Sequence, residues 1–149
     1  MKRFSTILLA TDFSDTSQKA AEYAMDLART FEAHLLVLHV INEPVDLRGF
    51  YAPHISFEQL EKEIESGAAR MLESFCKERF GEYSNFETAI TTGVPFEEIL
   101  RMAEERTADL IVIGTHGRTG LDHLIFGSTA ERVVRSASCP VMTIRVPER

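Results

Sequence analysis

Cysteine is scarce in this chain, and basic residues are outnumbered by acidic ones. Cys76 and Cys139 are the only two cysteines. No motif pairs them: Cys76 falls in a helical pattern and Cys139 just before a strand. Two such thiols point to a reducing compartment more than to a disulfide framework. Sixteen Lys and Arg stand against 23 Asp and Glu, a formal charge of −7. Phosphate backbones are met by basic surfaces, so this balance argues against nucleic acid as the main partner and leaves room for a small basic pocket. Long hydrophobic runs are also missing. The apolar stretch after Met1-Lys2-Arg3-Phe4 stops at Asp12, too short for a signal peptide or a membrane span, and a cytoplasmic location is expected. Several catalytic signatures are absent. There is no Gly-Lys-Ser/Thr, no pair of glycines one residue apart, no Gly-x-Ser-x-Gly and no His-Glu-x-x-His. A Walker A loop, a dinucleotide fingerprint, a nucleophile elbow and a zinc-protease helix are thereby excluded. With no internal repeat, low-complexity segment or linker, residues 1–149 read as one domain with a substantial core.

What is present is an alternation of short apolar runs and helical patterns. Residues 6–10, 35–41 and 110–113 are continuous apolar strands, and 86–91 is a weaker one. Ala20, Ala24, Leu27, Ala28 and Phe31 share one face of a helix over 14–31. Phe57, Leu60, Ile64, Ala68, Met71, Leu72 and Phe75 keep the same period over 56–80, where Ser56 and Gln59 form a capping box. Pro95 opens a helix carrying Phe96, Ile99, Leu100 and Ala103, as proline suits a first turn. A last helix over 128–136 and a last strand over 141–146 complete a βαβαβαβαβ order. That order predicts an α/β fold: a doubly wound five-stranded parallel sheet with helices on both faces. Residues 42–55 are the one long irregular stretch, and loops of that length are often lids.

The most informative segment is Gly114-Thr115-His116-Gly117 followed by Gly127-Ser128. It lies between the apolar run ending at Ile113 and the helical stretch from Thr129. A buried strand, a glycine-rich loop and a helix start are the parts that hold a phosphate. Glycines admit an anion close to the backbone, and the N–H groups of the helix's first turn point at it. The spacing Gly-x2-Gly-x9-Gly-Ser resembles the ATP-binding signature of the universal stress protein family. The opening Ile7-Leu8-Leu9-Ala10-Thr11-Asp12-Phe13-Ser14 resembles that family's first strand and acidic turn, and Ser138-Cys139-Pro140-Val141-Met142 its last strand.

The resemblance covers essentially the whole chain and implies strand order 3-2-1-4-5, which spacing alone leaves open. It implies roles as well. Ala10, Thr11 and Asp12 would surround adenine and ribose, and Val40 would meet the adenine through its backbone. Gly114 and Gly117 would let the loop pass close to ribose and phosphates. Gly127, Ser128 and Thr129 would bind phosphate oxygens. His116 falls inside the signature and is counted with the site. Arg118 is added for its charge and position, since a guanidinium grips phosphate bidentately. Other readings stand beside these. Asp12 also suits a helix start, and Ser128 with Glu131 is a capping box in its own right. His116, Asp122 and His123 lack a metal-ligand spacing, so Mg²⁺ is expected through the nucleotide's phosphates. His34, His39 and His54 read as structural or surface residues, and Cys76 as packed.

No reaction is specified. The resemblance points to an ATP-binding regulatory module for stress response whose nucleotide state alters dimer or partner contacts. The alternatives are a weak ATP hydrolase or adenylyl-transferring enzyme on the same fold, and an interaction protein without nucleotide. A homodimer is expected through the edge strand at 141–146, because an unpaired edge invites a second copy. Proline at Ile144 is the substitution expected to weaken that pairing.

Overall fold

The computed structural model describes residues 3–42, 57–116 and 126–146. In chain order the elements are β1 (Thr6–Ala10), α1 (Asp15–Phe31), β2 (His34–Ile41), α2 (Phe57–Phe80), β3 (Phe86–Thr92), α3 (Pro95–Glu105), β4 (Leu110–Gly114), α4 (Ser128–Ser136) and β5 (Val141–Ile144). The five strands form one sheet in the order β3-β2-β1-β4-β5, and all four pairings are parallel. The strand order implied by the resemblance is the one observed. Several boundaries differ from expectation by a residue or two: β2 begins at His34, β3 runs on to Thr92 and β4 to Gly114. The last strand stops at Ile144, and the first helix starts at Asp15 because Ser14 is its N-cap, the Ser14 hydroxyl accepting from the Ser17 N–H at 3.2 Å.

Alternation along the strands divides the core in two. Ile7, Leu9, Leu35, Val37, Leu110 and Val112 face α1 and α2, meeting Ala20, Ala24, Leu72, Phe75 and Cys76. Leu8, Leu36, Ile111 and Ile113 face the other way, against Ile99 and Met102 of α3 and Ala130 and Val133 of α4. Leu8, Leu36 and Ile111 are fully buried, each stabilising the fold by about 1.5–3 kcal/mol. Burial on both faces is why these strands read as unbroken apolar runs. Cys76 sits in the first of these layers, and burial pushes its thiol up to about 11, which suits packing and not attack. No helix among the described residues is long and apolar enough to cross a membrane.

The chain lays down β1, β2 and β3 in one direction, then crosses back to place β4 and β5 on the far side of β1. β1 and β4 are therefore neighbours whose outgoing chains diverge. Their carboxyl ends are the switch point where doubly wound sheets bind ligands. Leu9 is paired with Val112, which brings Thr11 level with Gly114.

Candidate functional site at the switch point

The β1 end of the site is a tight turn. The Thr11 N–H donates to the Leu38 carbonyl at 2.9 Å, carrying the ladder one residue beyond β1. Asp12 Oδ1 then accepts from the Ser14 N–H at 3.0 Å and from the Ser17 hydroxyl at 2.6 Å, while the Asp12 N–H donates to Ser17 Oγ at 3.1 Å. The helix-start role of Asp12 is thus realised, and a nucleoside contact by this carboxylate has to be shared with it. Phe13 sits between at φ 67, in the left-handed region, its N–H donating to Thr11 Oγ1 at 3.1 Å. Ala10 is buried at the end of β1. Val40 is half-buried near the end of β2, opposite Thr91, its side chain packed on the α3 and α4 side of the sheet.

The β4 end is set by two glycines with different reasons. A Cβ on Gly114 would lie 2.6 Å from Thr16 Cγ2 and 3.2 Å from the Thr16 backbone carbonyl carbon. Its missing side chain lets the first turn of α1 close onto β4. Gly127 has φ −71 and ψ 162, which any residue adopts. What it needs is room, since a Cβ there would stand 3.0 Å from the Thr115 carbonyl oxygen. The Gly127 N–H donates to that same oxygen, tying the start of α4 to the end of β4. Thr115 is buried, its N–H donates to the Ile144 carbonyl at 2.9 Å, and its hydroxyl lies 3.1 Å from His116 Nδ1.

The start of α4 corrects one reading. Gly127, not Ser128, is the N-cap, and it supplies no side-chain cap. Ser128 is then the first helical residue and Glu131 the fourth, so the two cannot form a capping box. Glu131 reaches instead to Arg135, 2.7 Å away and four residues on. The first-turn N–H groups, from Ser128 to Ala130, have no partner inside the helix, and no side chain among the described residues caps them. Ser128 is exposed and Thr129 half-buried.

The structure therefore brings Thr11, Asp12, Gly114, Thr115, His116, Gly127, Ser128 and Thr129 to one end of the sheet. Gly117, Arg118, Asp122, His123, the expected capping residue Ser56 and, past Asn42, the expected lid lie outside the described residues. Among the described residues no group of three His, Cys, Asp or Glu could hold a metal. Sequence reasoning missed Phe13, Thr16, Ser17, Thr115 and the role of His39. His39 is buried, with Nδ1 2.8 Å from the Thr11 carbonyl. A histidine inside an apolar strand was the available signal, since a buried imidazole requires a partner. His34 is half-exposed between Asn85 and Glu87, at 2.9 Å from each.

Comparison with known proteins agrees with this architecture. Residues 3–145 match the family model of the Universal stress protein family. Universal stress protein MJ0531 of Methanocaldococcus jannaschii is 35% identical over 150 residues, covering 98% of this chain and 85% of that protein. Universal stress protein YxiE of Bacillus subtilis is 35% identical over 148 residues, covering 95% and 99%. The solved structure of the protein MJ0577 superposes with a TM-score of 0.85 at 27% identity, covering 99% of this chain and 100% of that one. Two more distant structures share the fold. One is a universal stress protein in complex with cAMP, at 20% identity and TM-score 0.67. The other is the universal stress protein from Archaeoglobus fulgidus in complex with dAMP, at 22% and 0.65.

Proposed function

The chain belongs to the universal stress protein family, and from that premise we propose that it is an ATP-binding regulatory module. The observation that carries the reading is the junction of β4 and α4. The Gly127 N–H holds the helix start against Thr115, with no side chain at the cap and no Cβ between them. A helix N-terminus so presented attracts anions through its first-turn N–H groups and its dipole. The Asp12 turn stands beside it at the switch point, where a nucleoside attached to that phosphate would lie. The cAMP and dAMP held by two proteins of this fold make an adenine nucleotide the first ligand to test.

In this reading Gly127, Ser128 and Thr129 receive phosphate oxygens, joined by Gly117 and Arg118. Ala10, Thr11, Asp12 and Val40 receive the nucleoside. Gly114 and His116 shape the strand end between them. Mg²⁺ would arrive on the phosphates and keep most of its waters. The nucleotide state would act on a homodimer joined through β5, or on a protein partner.

Calorimetry of ATP binding, paired with thermal melts, tests this. Gly127→Val places a branched side chain against the Thr115 carbonyl and in the path of the phosphates. It is expected to abolish measurable binding while the melt remains cooperative. Ser128→Ala removes only a hydroxyl and is expected to be milder. Binding by a folded Gly127→Val protein at the parent's affinity would show that the phosphate site is elsewhere.

A further inference from the structure

We propose that His39 is a positioning residue for the nucleotide site, holding the turn that carries Asp12 from both sides. The inference rests on the nucleotide reading above. His39 lies in β2, opposite Ile90, and is buried. Its Nδ1 is 2.8 Å from the carbonyl oxygen of Thr11, 28 residues earlier in the chain. A carbonyl oxygen only accepts, so Nδ1 carries the proton and the neutral ring is the Nδ1–H tautomer. The same imidazole meets the Phe13 ring, with centroids 4.4 Å apart and planes tilted by 33°. His39 thus grips the residue before Asp12 by a hydrogen bond and the residue after it by a ring contact.

The turn needs such a hold. Phe13 at φ 67 occupies a region where a side chain crowds its own backbone, and such conformations persist only when their surroundings impose them. The Phe13 ring also packs edge-on to Phe75 of α2, at 5.9 Å between centroids. The backbone at Thr11 and the ring at Phe13 are therefore pinned to different parts of the core, with His39 common to both. Asp12, between them, presents its carboxylate to Ser14 and Ser17 in one orientation. Removing the imidazole takes the donor from the Thr11 carbonyl and the stacking partner from Phe13. The turn can then relax toward an ordinary φ, and Asp12 leaves the direction the nucleoside requires.

Two variants separate positioning from mere packing. His39→Leu fills much of the ring's volume without a donor. His39→Asn places a side-chain N–H close to where Nδ1–H stood. Each is measured beside the parent by thermal melt, by ATP calorimetry and by the amide spectrum of ¹⁵N-labelled protein without ligand. His39→Leu is expected to remain folded, to move the amide signals of Thr11 to Ser14, and to bind ATP about tenfold more weakly, the scale of one lost buried hydrogen bond. His39→Asn is expected to recover most of that affinity. The inference is overturned if His39→Leu leaves the turn's signals in place, if it binds ATP like the parent, or if His39→Asn binds as weakly as His39→Leu. If the parent binds no ATP but His39→Leu still moves the turn's signals, the hold on the turn stands and the nucleotide reading falls.

Discussion

Gly114 and Gly127 belong to one sequence pattern, yet each is a glycine for its own reason. Neither needs a left-handed backbone. Gly114 makes room for Thr16, so its first duty is to dock α1 onto β4. Gly114→Ala is expected to force a shift of Thr16 or of the helix start, costing about 1–3 kcal/mol. Urea unfolding checks this. An unchanged midpoint would mean that Thr16 rotates aside freely. The glycine spacing was legible in the sequence, but the contact that fills Gly114's missing side chain comes from a residue 98 positions earlier and was not. Asp12 illustrates the same limit. Its acid was legible as a site residue or as a helix start, and only the bonds to Ser14 and Ser17 establish that it serves the helix. Ser128 and Glu131 have the spacing of a capping box. The register of the helix start, fixed by the Gly127–Thr115 bond, defeats it.

Elements were more legible than their ends. Strands buried on both faces leave a short apolar run that its length and flanking turn residues mark as a strand, and a helix on the sheet leaves a 3.6-residue stripe. β5 was harder to bound because apolar residues continue to Val146 while the ladder to β4 stops at Ile144. Its backbone also assigns the edge. The Pro140 carbonyl accepts from Ile111 and the Ile144 carbonyl from Thr115, so even-numbered residues face β4 and the N–H groups of Val141 and Thr143 point outward. Ile144 is buried and bonded within the chain, so a proline there would damage the fold before it tested any pairing. Thr143→Pro is the informative variant: it removes one outward donor from an edge strand, a place where proline is tolerated. The parent is expected to scatter light as a dimer of the 16.8 kDa chain at micromolar concentration, and Thr143→Pro as a monomer. A parent that is already monomeric would contradict pairing through β5.

Across the whole molecule, strand order decides where the site lies. Spacing fixed the alternation of strands and helices but not which strands are neighbours, because β1–β4 pairing spans about a hundred residues of intervening chain. The order followed from a family resemblance, and the observed sheet agrees with it. That order sets the carboxyl ends of β1 and β4 side by side, and the Gly127–Thr115 bond adds the start of α4. An acidic chain with a charge of −7 would bind an anion by local means, and the proposed site at this junction of backbone N–H groups would be such a means. The central claim is therefore positional: ATP binds across the switch point, its phosphates at the start of α4. Titrating ATP into ¹⁵N-labelled protein and following each backbone amide tests it most directly. The account predicts saturable shifts concentrated at Thr11, Asp12, Phe13, Thr115, Gly127, Ser128 and Thr129, with the N-terminal ends of the strands silent. Shifts that saturate elsewhere, or none at millimolar ATP, would contradict it.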